Sequence, residues 1–166
     1  ELFAWYVPPS NGAAVVLRHG AGSTASDSLA HAAVLARHGY GVLVTDARGH
    51  GRSAGRGMEF GWYGDEDISA AVSFLLGQTD VNPERIAVLG LSMGGEEAVG
   101  AAAAETRIAA VVAEGALART AEDKAWLPDV YGWRGQVQLG LERIQYGVAD
   151  MLTTAEPPMS LADAAG

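Results

Sequence analysis

The segment that most constrains how this chain folds runs from Ile86 to Gly95. A short apolar run, Ile86-Ala87-Val88-Leu89, is followed by Gly-Leu-Ser-Met-Gly-Gly and then at once by an alanine-rich stretch. Gly90 and Gly94 have no Cβ atoms, so a strand and a helix can approach each other closely on either side of Ser92. The pattern predicts a strand, a tight turn with the serine at its tip, and a helix that leaves in a new direction.

The chain before this segment alternates between apolar runs and amphipathic stretches. The runs at 13–17 and 40–45 are continuously apolar, which is typical of parallel strands buried on both faces. A strand at 2–7 ends at two prolines and is expected at an edge, and a further strand is expected at 108–113. Helices are predicted from Ser26 or Asp27 to His38, from Gly64 to Leu76 and from the serine turn to about Ala104, with a glycine-rich loop before Trp62. This alternation predicts an α/β fold with a mostly parallel sheet flanked by helices.

The pattern changes after Glu114, where helices are predicted at 117–127 and 133–152 and a short one near the end. Apolar residues recur at helical spacing in the second of these helices, at Val137, Leu141, Ile144, Val148 and Leu152. The stripe favours an amphipathic helix packed on the core, with a role in substrate contact as the alternative. We therefore expect a single domain over 1–166, with a sheet core at 1–116 and a helical, cap-like segment at 117–166.

Composition narrows the function classes. The 166 residues suffice for one compact domain with a sizeable core. A net charge of −9 disfavours nucleic acid and anionic membrane surfaces as partners. No cysteine is present, which excludes disulfides and thiolate metal sites, and nothing in the pattern suggests a metal or a cofactor. No apolar run has the length of a transmembrane helix. A cytoplasmic location is predicted, although the chain does not begin with Met and an N-terminal piece is expected to be missing.

Three glycine-containing motifs follow three successive predicted strands. His19-Gly20-Ala21-Gly22 follows the first fully buried strand, Asp46-x-Arg48-Gly49-x-Gly51-x-Ser53 follows the next, and Gly90-x-Ser92-x-Gly94-Gly95 follows the third. In this order they resemble the α/β-hydrolase fold family, specifically its dienelactone-hydrolase-like and serine-aminopeptidase-like branch. The resemblance covers almost the whole chain.

The resemblance implies a chemistry for matching positions. Ser92 is implied as the nucleophile that attacks a carbonyl carbon and becomes acylated. The backbone N–H groups of Met93 and Ala21 are implied as the oxyanion-hole donors, with Gly22 as the alternative to Ala21. The substrate would be a small-molecule ester or a peptide. Neither a metal nor a cofactor is implied.

Other polar and aromatic residues near these motifs have two interpretations each. The resemblance implies a structural role for His19, against a catalytic base, and a structural role for the loop from Asp46 to Ser53. Arg18 is expected to lie at the surface or to brace a loop or, alternatively, to contact an anionic substrate. Trp62 and Tyr63 are expected in the core or, alternatively, along the cleft.

The sequence departs from the family pattern after Ser92. The family places an acid and then a histidine after its serine, whereas the four histidines here, His19, His31, His38 and His50, all precede it. Glu114 ends a strand and is a candidate acid or a residue at the sheet edge. We therefore expect a sheet incomplete at both ends, belonging to an internal fragment of a longer serine hydrolase that is inactive alone. The alternatives are a non-catalytic α/β-hydrolase-like binding module, or a relative such as an acyltransferase or a cofactor-free haloperoxidase.

Overall fold

A computed structural model describes residues 1–56 and 61–166 of the chain. Its elements alternate as predicted up to the fifth strand and are helical afterwards. The strands are β1 Ala4–Val7, β2 Ala14–Arg18, β3 Gly41–Thr45, β4 Ile86–Leu91 and β5 Ala110–Glu114. The helices are α1 Leu29–Arg37, α2 Gly64–Leu76, α3 Met93–Ala104, α4 Leu127–Tyr131, α5 Trp133–Leu152 and α6 Leu161–Ala164.

The strands form an open five-stranded sheet in the order β1-β3-β2-β4-β5. Strands β2 to β5 pair in parallel, and β1 pairs antiparallel with β3 at one edge. Every residue of β2 and β3 is buried, which explains why their sequences are continuously apolar rather than alternating. The prediction of an α/β fold with a mostly parallel sheet flanked by helices is confirmed.

Helices cover both faces of this sheet. On one face, Val16 and Val88 pack with the apolar stripe of α2, including Ile68 and Val72. On the other, Leu17 and its neighbours pack against α1. Because successive strand residues point to opposite faces, the two cores interleave along each strand and fix its register. The carboxyl ends of β2, β3 and β4 consequently lie along one edge of the sheet, where the three motifs are found.

The start of the first helix differs from the prediction. A 3₁₀ turn spans Ala25–Ser28, and α1 begins only at Leu29. Thr24, rather than Ser26 or Asp27, caps the turn, and its backbone N–H donates to Asp27 Oδ2 at 2.9 Å. The carboxylate at the third position of the turn thus bonds back to the cap, so the cap of this turn lies two residues before Ser26 and three before Asp27.

The helix predicted at 117–127 is wrong. Only a 3₁₀ turn at Glu122–Lys124 and the start of α4 are helical there. The Glu96 carboxylate accepts the N–H groups of Leu117 and Ala118 at 3.0 and 3.1 Å, and Asp123 Oδ2 accepts two more at 2.9 Å. Side-chain acceptors therefore satisfy the backbone donors of residues 117–120 in a conformation that is not helical.

The helix α5 has the predicted bounds, but its apolar stripe does not face the core. Val137, Leu141, Ile144, Val148 and Leu152 are between 48 and 68% exposed. The buried residues of α5 are Gly135, Leu139 and Ala149. A Cβ at Gly135 would overlap the Leu127 carbonyl group, so α5 touches α4 along this glycine. That contact sets the rotation of α5 and turns the stripe outward, which makes the predicted core packing of the stripe wrong.

Two sequence expectations stay predictions. The division of the chain at residue 116 is one. The other is the glycine-rich loop before Trp62, because residues 57–60 lie outside the described residues. None of the helices within residues 1–56 and 61–166 combines the length and apolar character needed to cross a bilayer.

Candidate active site

Ser92 occupies the junction between the last residue of β4 and the first residue of α3. Its φ of 52° and ψ of −120° make it, among the described residues, the one non-glycine residue with positive φ. The surrounding bonds hold this conformation: the Ser92 N–H donates to the Glu114 carbonyl at 2.7 Å, and its own carbonyl accepts the Gly95 N–H at 2.8 Å. Strain of this kind persists only where neighbouring structure enforces it and is common at functional sites. Ser92 is exposed at the end of the sheet.

The glycines around Ser92 are required by close backbone contacts. A Cβ on Gly90 would overlap the carbonyl of Gly94. A Cβ on Gly94 would lie 2.5 Å from the His19 carbonyl oxygen and 2.6 Å from that of Arg18. Helix α3 therefore starts in direct contact with β4 at Gly90 and with the carboxyl end of β2 at Gly94, and a side chain at either glycine would break one of these contacts.

The same contact brings the turn at 19–22 beside the serine. A Cβ on Gly20 would lie 3.2 Å from Ser92 Cβ and 3.8 Å from its Oγ. Ala21 is exposed at the tip of this turn. Met93 is the first residue of α3, so its N–H has no acceptor within the helix. The structure thus places Ser92, Met93 and the turn containing Ala21 together at one edge of the sheet.

His19 is buried behind the turn, with both ring nitrogens occupied. Its Nδ1 lies 2.8 Å from the Gly20 carbonyl oxygen, and the Ala47 N–H donates to its Nε2 at 2.8 Å. Since Nε2 accepts, the proton resides on Nδ1, and burial lowers the pKa of the ring. A neutral imidazole that bridges two loops suits the structural role expected for His19.

The loop after β3 is held by the Asp46 carboxylate. Its two oxygens accept the N–H groups of Ala25 at 2.7 Å and Arg52 at 2.8 Å. Ser53 Oγ donates to the Asp46 carbonyl and accepts the N–H of Phe3, both at 2.8 Å. These bonds join the loop to β1 and to the turn before α1, in keeping with the structural role expected of this segment.

A buried group of charges lies beneath the serine turn. Arg18 Nε donates to Glu97 at 2.5 Å and its Nη2 donates to Asp67 at 3.1 Å, and all three residues are at most 3% exposed. Arg48 approaches Asp67 from the other side at 2.8 Å. Burial raises the pKa of the Glu97 carboxyl, and the Arg18 guanidinium opposes that rise. The predicted surface position of Arg18 is therefore wrong. Because Arg18 is committed to two carboxylates, the geometry favours the bracing role over contact with a substrate.

A second ion pair joins α2 to the segment that follows β5 in the chain. Arg119 is 3% exposed and donates to Asp65 at 2.7 and 3.2 Å. A Cβ at Gly100 would overlap its guanidinium, so α3 carries a glycine where this side chain passes.

Sequence reasoning overlooked the buried acids and Arg119. In the sequence, Asp65 and Asp67 resemble ordinary acidic residues of a first helical turn, which suit the helix dipole. A usable signal was Glu97, one of two charged residues in a helix made mostly of alanine and glycine, since such a helix is expected to be buried on most sides.

The two aromatic residues before α2 lie between the sheet and the later helices. Trp62 is 7% exposed and clusters with Ala149 and Ala155. Tyr63 is half-buried, and the Arg48 guanidinium stacks over its ring at 4.2 Å. Both also line a small cavity that reaches Met93 at the start of α3. Both expected roles, core packing and cleft lining, are therefore met in part.

The remaining histidines are engaged elsewhere. His38 and His50 bond backbone carbonyls through Nδ1, and His31 Nε2 lies 3.4 Å from the Glu114 carboxylate, which is 67% exposed. In the parts of the chain that the structure describes, no hydrogen bond joins a histidine ring to Ser92. No group of three or more His, Asp or Glu side chains within 1–56 and 61–166 is arranged to hold a metal ion.

The chain is similar in sequence to one known protein family. A match to the family described as "Serine aminopeptidase, S33" covers residues 9–154. No curated protein sequence matches the chain.

Solved structures give the same fold. Est1E from Butyrivibrio proteoclasticus, solved with ferulic acid bound, is 25% identical, with a TM-score of 0.61 over 78% of this chain and 51% of its own. An esterase from Pyrococcus furiosus, Pf2001, is 28% identical, with a TM-score of 0.64 over 70% of this chain and 44% of its own. The α/β hydrolase GrgF from Penicillium sp. sh18 is 21% identical, covers 98% of this chain and 66% of its own, and supports the fold alone with a TM-score of 0.65.

The chain spans about half the length of Est1E and somewhat less of Pf2001. The family match, by contrast, runs through most of the sequence and includes the serine turn at Ser92. The chain therefore belongs to the serine aminopeptidase S33 family of α/β-hydrolases.

Proposed function

We propose that this chain carries the nucleophile and both oxyanion donors of a serine hydrolase that cleaves carboxylic esters. The observation that carries the proposal is Ser92, which is exposed at positive φ between β4 and α3. A serine held in this way presents its hydroxyl clear of both flanking elements, which is the geometry of a nucleophile elbow.

In the proposed reaction, Ser92 Oγ attacks the carbonyl carbon of the ester and gives its proton to a general base. The bond from that carbon to the alcohol oxygen then breaks, and the alcohol leaves with the proton. The acyl group remains on Ser92 until water attacks the same carbon and releases the carboxylic acid.

The negative charge that develops on the carbonyl oxygen is assigned to two backbone N–H groups. Met93 offers one, at the N-terminus of α3, where the unpaired donors and the helix dipole favour negative charge. Ala21 offers the other from the turn beside Ser92, with Gly22 as the alternative. Support comes from the closeness of this turn to the serine side chain, to which a Cβ on Gly20 would come within 3.8 Å.

We assign no described residue as the general base or as the acid that would orient it. His19 is occupied at both nitrogens, and within the described residues no other histidine bonds to Ser92. We propose that the full gene product supplies the base and acid from segments other than those described, and that residues 1–166 alone hydrolyse esters only slowly. The oxyanion donors without a base retain a small part of serine hydrolase catalysis.

We propose esters rather than amides as the substrates because of what similar proteins act on or bind. Pf2001 is an esterase, and Est1E was solved with a carboxylic acid bound. The family description names an aminopeptidase, so amides remain a comparison to be measured. The test is to assay the full gene product with p-nitrophenyl esters and with amino-acid p-nitroanilides.

The decisive variant is Ser92→Ala in the full gene product. Ester hydrolysis should fall by more than about 10³-fold, since removal of the nucleophile disables the whole triad. Ser73→Ala is the matched control, because Ser73 is exposed on α2 and its hydroxyl bonds the Ser69 carbonyl and the Arg107 guanidinium. The rate of this variant should equal that of the wild type. A Ser92→Ala variant that keeps wild-type turnover would refute the proposal.

A non-catalytic binding module is the second candidate. The observation that favours it is that the four histidines of the chain, all within the described residues, have partners other than Ser92. It predicts no hydrolysis of either substrate class by the full gene product, together with ligand binding that Ser92→Ala leaves unchanged.

A further inference from the structure

We propose that the buried ion pair between Arg18 and Glu97 positions the two oxyanion donors relative to each other. The inference rests on the function proposed above, in which those donors are the N–H groups of Ala21 and Met93. It assigns Arg18 and Glu97 as positioning residues, which act through the backbone and do not contact the substrate.

The first argument is where the two residues lie in the chain. Arg18 is the last residue of β2 and directly precedes the turn at 19–22. Glu97 lies four residues after Met93, one turn into α3. Each member of the pair is therefore attached to one of the two segments that carry a donor, and their separation of 2.5 Å links the segments directly.

The second argument is that the ion pair adds a second point of attachment between these segments. Gly94 touches the carbonyls of Arg18 and His19 with no room for a side chain, which fixes how near the start of α3 comes to the turn. Glu97 lies three residues further along α3, so its bond to Arg18 holds the helix at a second point. Two points of contact restrict the rotation of α3 about the first point as well as its distance from the turn.

The third argument is the geometry of the guanidinium. Arg18 uses Nε for Glu97 on α3 and Nη2 for Asp67 on α2, and Asp67 is also held by Arg48 at 2.8 Å. A planar fork with fixed donor directions sets orientation as well as distance, which the single ammonium of lysine does not. The end of β2 is thereby tied to two helices at once.

Such precision matters for an oxyanion site more than for folding. Its donors must lie 2.7–3.1 Å from the oxygen of the transition state, and removal of one donor costs about 10²–10³ in rate. A buried ion pair, by contrast, is often replaceable by apolar side chains with no loss of stability. An experiment can therefore separate the effect of the pair on donor placement from its effect on the stability of the fold.

The test compares an oxygen ester with its thiono analogue, in which sulfur replaces the carbonyl oxygen. Sulfur is a weak hydrogen-bond acceptor, so the thiono ester gains little from the donors. The kcat for the oxygen ester divided by the kcat for the thiono ester thus reports how well the donors are placed. The measurement uses the full gene product and three forms: wild type, Arg18→Lys, and the double variant Arg18→Met/Glu97→Leu. Asp67 keeps its Arg48 partner in all three.

In the double variant, the kcat ratio should fall by roughly 10- to 100-fold, with KM within about twofold and thermal stability near that of the wild type. Arg18→Lys retains the charge and should give an intermediate ratio, which keeps the test valid if the double variant folds poorly. If the ratio is unchanged in Arg18→Lys and in a folded double variant, the positioning role is overturned. This includes the case in which kcat falls equally for both substrates. Loss of activity in these forms is informative only if Ser92→Ala is inactive; a wild type without Ser92-dependent hydrolysis removes the proposed function and this inference together.

Discussion

Replacing Gly94 by alanine tests the claim that the helix carrying the serine turn is built directly onto the carboxyl end of β2. The added Cβ would lie 2.5 Å from the His19 carbonyl oxygen and 2.6 and 2.9 Å from the carbonyl oxygen and carbon of Arg18. All three atoms belong to the backbone of a buried strand end, so a change of side-chain rotamer cannot relieve the overlap.

The magnitude follows from two opposing contributions. Alanine in a helix interior is favoured over glycine by about 0.5–1 kcal/mol. Overpacking a rigid interior costs about 1–3 kcal/mol, and backbone neighbours place this site at the upper end. We expect Gly94→Ala to lower the free energy of unfolding by about 2 kcal/mol. The assay is urea denaturation followed by far-ultraviolet circular dichroism, with an unchanged slope as evidence of a comparable transition.

Gly140→Ala is the matched control. Gly140 also lies within a helix, and a Cβ there would meet nothing within 4 Å. It should raise the free energy of unfolding by about 0.5–1 kcal/mol, because only the propensity gain remains. Equal effects of the two substitutions would show that α3 does not contact β2 as closely as described.

Two further predictions concern packing and charge. Leu139→Ala should cost about 2–4 kcal/mol of stability because Leu139 is 7% exposed, whereas Ile144→Ala, at a residue 65% exposed, should change it by less than about 0.5 kcal/mol in a denaturant titration. The Arg107 guanidinium bonds the Glu105 carboxylate and lowers the pKa of that carboxyl to about 2. The stabilisation from this ion pair is therefore present above about pH 4.3, the pKa of an unperturbed glutamate, and is lost as pH falls towards 2. Carbon-13 NMR titration should show the low pKa, and Arg107→Met should raise it; no rise would contradict the assigned cause.

Much of the fold was predictable because hydrophobic periodicity is a local property of the sequence. The buried runs at 13–17 and 40–45 predicted β2 and β3, and the pattern Gly-x-Ser-x-Gly placed Ser92 between a strand and a helix. Glycine was informative for a physical reason: at Gly90 and Gly94 the backbones touch, so no other residue fits.

The failures have a common cause, which is that helical spacing in the sequence does not show the contacts that a segment makes after folding. The segment after Glu114 has helical character in sequence, but residues 117–120 are not helical and their N–H groups donate to the carboxylates of Glu96 and Asp123. The stripe on α5 has the spacing of a core-facing surface, yet contact of Gly135 with α4 turned it to solvent.

The sequence by itself determined the order of the elements, the mostly parallel sheet and the position of the serine turn, because each depends on residues within a few positions of one another. The tertiary structure alone decided which charges are paired. Asp67 lies 49 positions after Arg18, and Glu97 lies 79 positions after it. In sequence all three resemble ordinary surface residues. Only folding brings them out of water, where each charge requires a partner.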